Sequence, residues 1–107
     1  MPISEAQYTP ISVAASGNNT LVAAQGAGVK IRVVCLVLTV GAGVSVKFQS
    51  GAGGTDLTGP MALPINGLIV LKHSAVGWFE TAANALLNLN LSGAVQTSGA
   101  LIWQAVS

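Results

Sequence analysis

Glycines and small polar residues break this chain at intervals of about 8–12 residues: Gly17-Asn18-Asn19, Gly26-Ala27-Gly28, Gly41-Ala42-Gly43, Gly51 to Gly54, Gly59-Pro60, Asn66-Gly67, Gly77, Gly93 and Gly99. Few windows long enough for a helix survive that punctuation. Many short strands joined by turns require it.

The segments between the breaks alternate in polarity. Val44, Val46 and Phe48 oppose Ser45, Lys47 and Gln49, and Leu87, Leu89 and Leu91 oppose Asn88, Asn90 and Ser92, as half-buried antiparallel strands do. The segments fall at approximately 6–14, 20–24, 29–40, 44–50, 61–65, 68–71, 78–80, 87–92 and 95–106. This pattern predicts an all-β fold: a single-domain antiparallel β-sandwich over residues 1–107, jelly-roll-like, with eight or nine short strands. Residues 1–10 open either as an extended N-terminal arm or with the first strand. Asn66-Gly67, between Leu63-Pro64-Ile65 and Leu68-Ile69-Val70-Leu71, reads as a tight two-residue hairpin with its first arm at a sheet edge. Thr81, ahead of Ala82-Ala83-Asn84-Ala85-Leu86, has the chemistry to cap one helical turn.

Charge is scarce. Four basic and three acidic residues make up 7% of the chain, against about 25% in an average domain. Disorder does not explain the deficit, because 33 of the 107 residues are Leu, Ile, Val or Phe. Mean hydropathy is +0.68, yet the densest apolar stretch, Ile31 to Val40, is interrupted by Arg32 and Thr39 and falls short of the roughly 20 residues of a spanning helix. No membrane is expected as a partner. A net charge of +1, with Lys30, Arg32, Lys47 and Lys72 dispersed, argues against nucleic acid. Met1-Pro2-Ile3-Ser4-Glu5 has no basic region before an apolar one, so synthesis in a cytoplasm is expected.

Catalytic chemistry finds little material. Glu5, Asp56 and Glu80 are far apart in sequence and read as turn or salt-bridge residues. His73 is the only histidine and reads as an exposed loop residue. Cys35 is the only cysteine, excludes an internal disulfide, and reads as a small buried hydrophobe. Gly26-Ala27-Gly28 and Gly51-Ala52-Gly53-Gly54 lack the rest of a phosphate-binding motif and read as hairpin tips. The expectation is no enzyme, no cofactor and no metal.

Two segments depart from simple alternation. From Val29 to Val40 the face that begins with Lys30 and Arg32 continues as Val34, Leu36, Leu38 and Val40, and the last segment sets Leu101, Trp103 and Ala105 against Ile102, Gln104 and Val106. Strands apolar on both faces need a covering loop or a neighbouring subunit, and the subunit is the preferred reading. Trp78 and Phe79 must point to opposite faces if extended, so one is core and the other faces a subunit or ligand. The candidate interface is therefore Val34, Leu36, Leu38, Val40, Trp78, Ile102 and Trp103.

The order of blocks Asn19-Thr20-Leu21-Val22-Ala23-Ala24, Lys30-Ile31-Arg32-Val33, Val46-Lys47-Phe48-Gln49-Ser50-Gly51, Thr55-Asp56-Leu57-Thr58-Gly59-Pro60, Gly77-Trp78-Phe79-Glu80-Thr81 and Leu87-Asn88-Leu89-Asn90-Leu91-Ser92 resembles small virion proteins of tailed bacteriophages, of the capsid decoration (cement) type. The likeness covers roughly Ile11 to Val106. One departure is Asn66-Gly67-Leu68, where a second glycine is more usual. The resemblance implies a compact non-enzymatic β-sandwich, commonly a homotrimer, made in a host bacterial cytoplasm and placed on the capsid surface with the major capsid protein as partner. It carries no capsid-contact residues over. The alternative is a carbohydrate- or receptor-binding module on a phage tail or head fibre, in which Trp78, Phe79 or Trp103 stacks on a host-surface glycan.

Overall fold

The computed structural model of the chain describes residues 6–107. Ten strands form: β1 (Gln7–Val13), β2 (Gly17–Val22), β3 (Lys30–Val40), β4 (Val44–Ser50), β5 (Thr55–Asp56), β6 (Met61–Leu63), β7 (Leu68–Leu71), β8 (Phe79–Glu80), β9 (Leu87–Leu91) and β10 (Thr97–Val106). They build two antiparallel sheets. The first runs β1-β10-β3-β7, with β8 also on β3; the second runs β2-β9-β4-β5, with β6 also on β4. Because β1 and β3 flank β10 while β2 and β4 flank β9, the chain wraps as a rolled ribbon and the order is that of a jelly roll. The expected eight or nine strands become ten because Thr55–Asp56 adds a strand too short and polar to register in the alternation.

Alternation supplies the core. Leu87, Leu89 and Leu91 of β9 and Val44, Val46 and Phe48 of β4 point inward from the second sheet, against Ile11 of β1 and Leu101 and Trp103 of β10 from the first. Trp103 is 5% exposed, and its indole N–H donates to Thr9 Oγ1 at 2.9 Å, the polar partner that a buried indole needs.

In β3 the second half is apolar on both faces, but a bulge exchanges which of the two is inward. Ile102 of β10 stands opposite Cys35, but the next residue, Trp103, stands opposite Val33. Val34 is the extra residue, and it shifts the inward set from Ile31 and Val33 before it to Leu36, Leu38 and Val40 after it. The strand thus has one buried face throughout, changed in phase midway. Cys35 consequently lies half-buried on the outer face and not in the core where composition placed it. Val34 is buried by the chain's own β7–β8 loop, whose Ser74 N–H donates to the Val34 carbonyl at 2.9 Å.

Asn66-Gly67 does not close a hairpin. β6 belongs to the second sheet and β7 to the first, so this turn carries the chain between sheets. Asn66 has φ 61°, the Gly67 N–H donates to the Pro64 carbonyl, and the end of β3 holds the turn through Asn66 N–H to the Val40 carbonyl. A sheet-to-sheet crossing satisfies Asn-Gly chemistry as well as a hairpin does, because only the local φ is specified. Gly26-Ala27-Gly28 is likewise a crossing from β2 to β3, whereas Gly51 to Gly54 forms the tip of the β4–β5 hairpin. Thr81 caps no helix: it is 2% exposed, its Oγ1 accepts the Ile31 N–H at 3.0 Å, and its own N–H donates to the Ile31 carbonyl. The extended-arm alternative for residues 1–10 is narrowed, since Gln7–Pro10 pair with β10 and residues 1–5, with Glu5 among them, lie outside the described residues.

Candidate functional site

The two outward faces differ in kind. Residues directly opposite in an antiparallel ladder share a face, so the register of the first sheet gives its outer rows. One row is Tyr8, Ile102 and Cys35; the next is Pro10, Ala100, Val37 and Val70; the third is Ser12, Ser98, Thr39 and Leu68. The first two rows are apolar across every strand they cross. Tyr8 is 70% exposed, Leu68 61%, Val70 58% and Val37 43%. The three rows span about 14 Å across the strands and about 13 Å along them, roughly 200 Å² of sheet, of which the first two rows and Leu68 are apolar.

Charge stops at the edge of this face. Beyond the Val34 bulge the outer row is Gln104, Arg32 and Glu80, where Arg32 Nε meets Glu80 Oε1 at 3.2 Å and Lys30 Nζ meets Oε2 at 3.8 Å. The β7–β8 loop packs against this end tightly enough that a Cβ on Gly77, at φ +92°, would stand 2.5 Å from Arg32 Cγ. The loops on either side of β7 expose Ile65, Val76 and Trp78.

The second sheet turns amides to solvent. Asn88 is fully buried on that outer face: its Oδ1 accepts the Asn19 N–H at 2.8 Å, and its Nδ2 donates to Asn18 Oδ1 at 2.9 Å and to Gln49 Oε1 at 2.8 Å. Gln49 Nε2 in turn donates to Asp56 Oδ1 at 2.8 Å, and Lys47 Nζ lies 3.3 Å from the same oxygen. The Gln49 amide, assisted by the Lys47 ammonium, holds the Asp56 carboxyl below its ordinary value. Every buried side-chain polar atom among the described residues has a partner. The network makes a finished polar surface mainly from amides, with Lys47 and Asp56 as its ion pair.

The expected interface residues separate in the fold. Ile102 lies on the apolar outer face and Trp78 is half-exposed beside it, its indole N–H donated to the Lys72 carbonyl at 2.7 Å. Leu36, Leu38 and Val40 are 0–2% exposed core residues, inward because of the bulge, and Trp103 is inward with Leu101. Val34 is covered by the loop. These five have no surface to offer a partner. Tyr8, Val37, Leu68 and Val70 take their place; for Val37 the signal is the reversal of parity between Ile31/Val33 and Leu36/Leu38/Val40, and for the other three it lies only in the strand pairing. Phe79 faces inward, its ring 5.0 Å from that of Phe48, so the opposed faces expected for Trp78 and Phe79 are present.

Titratable groups do not converge. Asp56 and Glu80 sit on opposite sheets, each against a cation, and His73 is exposed in the β7–β8 loop. Among the described residues no three His, Cys, Asp or Glu side chains come together as metal ligands would.

Comparison with protein-family models, with curated proteins and with solved structures returned no match to this chain.

Proposed function

We propose that this is a non-enzymatic virion structural protein of a tailed bacteriophage, a capsid decoration (cement) protein that works as a homo-oligomer, in the first instance a homotrimer, on the capsid surface. The observation that carries the adhesive half of this reading is the contrast between the apolar outer face of the first sheet and the amide-covered outer face of the second. The phage half rests on the order of sequence blocks described above. The apolar face is smaller than the roughly 800 Å² that a standard interface takes from each partner, and the exposed Ile65, Val76 and Trp78 beside β7 extend it.

The mechanism is mass action. A protein that binds the assembled shell and not its free subunits stabilises the shell by RT ln(1 + [L]/Kd) per site, and an oligomer gains further because its second and third contacts are intramolecular. Scarce charge suits close packing, since few ions have to be desolvated.

Mass spectrometry of purified virions combined with cryo-EM tests the assignment: the protein is expected in the particle in fixed stoichiometry with the major capsid protein, and its absence there overturns the reading. Binding to a glycan array that is lost on Trp78→Ala, with the oligomer intact, would instead select the glycan-binding alternative.

A further inference from the structure

The two sheets do not close fully where β7 and β8 face β5 and β6. A cleft of about 190 Å³ opens there. Its floor is the Phe48–Phe79 ring pair, its walls include Leu71 from the first sheet and Met61 from the second, and Trp78 stands at its mouth. Its lining is of inward-facing side chains except for the half-exposed Trp78, which also borders the outer face.

The polar groups at this cleft are few and already engaged. Thr58 Oγ1 accepts the Phe48 N–H at 3.1 Å, and the Trp78 indole N–H is committed to the Lys72 carbonyl. No charged side chain lines the space. A water needs two to four polar partners, and the lining offers one hydroxyl. By contrast, an apolar cavity of about 150 Å³ stays dry and takes up benzene. A sugar or a carboxylate would lose its hydration here without replacement hydrogen bonds. An uncharged ring loses nothing polar and gains contact with three aromatic side chains.

We infer that the inter-sheet cleft is a binding site for one small uncharged aromatic molecule, of single-ring size. Trp78 forms the gate-side wall, fixed in orientation by its bond to the Lys72 carbonyl.

Titrating the full chain with toluene, followed by NMR of the Met61 methyl and the Trp78 indole N–H, tests this. Saturable shifts at both groups with 1:1 stoichiometry and a half-point in the millimolar range are expected. Met61→Trp, which fills the cleft from an edge strand, should weaken binding at least tenfold. Trp78→Ala, which removes a half-exposed wall and leaves the core intact, should weaken it about tenfold and remains informative if the filled variant fails to fold. Shifts that rise linearly without saturation, or that are unchanged in Trp78→Ala, overturn the proposal. So does a half-point that tracks protein concentration, which would mean that a side chain of a second copy occupies the cleft.

Discussion

Ala100 lies at the centre of the apolar outer face, between Pro10 on β1 and Val37 on β3, and it is only partly exposed. Replacing it with glutamate separates folding from association. In an isolated subunit the new carboxylate stands in water on a central strand, and the cost is that of a poorer strand former, within about 1 kcal/mol. In an assembly closed over this face the carboxylate is desolvated. Arg32 and Lys30 are engaged with Glu80 beyond the bulge, and Lys72, past the end of β7, is about 12 Å away by strand spacing and rise, outside a Debye length of about 8 Å. An unpaired buried charge costs about 3–5 kcal/mol, so each subunit contact should weaken by roughly 10²- to 10⁴-fold. Light scattering at micromolar concentration should show an oligomer for the native chain and for Ala100→Ser, and a monomer for Ala100→Glu, with thermal melting of the subunit little changed. An Ala100→Glu protein that keeps the native oligomeric mass refutes the placement of the contact, and a monomeric native chain at that concentration refutes the association itself.

Three further outcomes are expected. Asn88→Ala removes an acceptor for the Asn19 N–H and a donor to Asn18 and Gln49; at about 1–3 kcal/mol for each buried group left unpaired, a loss of about 2–4 kcal/mol should lower Tm by about 10–20 °C, and a fall under about 3 °C would contradict the network. Gly99→Ala places a Cβ 2.0 Å from the Val37 carbonyl oxygen at φ +150°, forcing β10 from β3; urea unfolding should show a loss above about 3 kcal/mol, while Gly59→Ala, with open space around it, should be near neutral. Because Asp56 has its carboxyl held below the ordinary 3.8, the stability contributed by its ionised form is complete above that value and is lost as pH falls through it toward the lowered folded value. The urea midpoint should therefore drop more between pH 6 and pH 3 for the native chain than for Asp56→Asn, and equal drops would count against the Gln49–Asp56 contact.

The fold was largely legible in the sequence because its strands keep strict alternation where no bulge intervenes. Leu87-Asn88-Leu89-Asn90-Leu91 states both its faces outright, and so does Val44 to Phe48. The surface was only partly legible. Val34 carries no glycine or proline to mark it as an extra residue, so a face counted straight through from Lys30 to Val40 assigned Leu36, Leu38 and Val40 to the outside. Ile102 and Trp78 are the two expected interface residues that keep solvent-accessible surface, Ile102 on the strand that carries no extra residue and Trp78 in the loop before β8. The Asn88 network was hidden for another reason: Asn88, Gln49 and Asp56 are 39 and 7 residues from their partners in this relay, and only the β4–β9 and β4–β5 pairings bring them side by side.

The bulge at Val34 also constrains how this chain can change over time. Because side chains on a strand repeat every two residues, the stretch from Leu36 to Val40 keeps its inward set only while its distance from Ile31 is odd with the bulge present or even without it. Deleting Val34 would straighten the strand and leave Leu36, Leu38 and Val40 inward, whereas a single-codon insertion between Cys35 and Leu36 would turn them to the solvent and fold Val37 and Thr39 inward, exchanging core for contact face in one step. Length changes in this strand should survive selection only in pairs or at the bulge itself, and relatives of this protein should keep the same inward set even where the residues themselves have diverged.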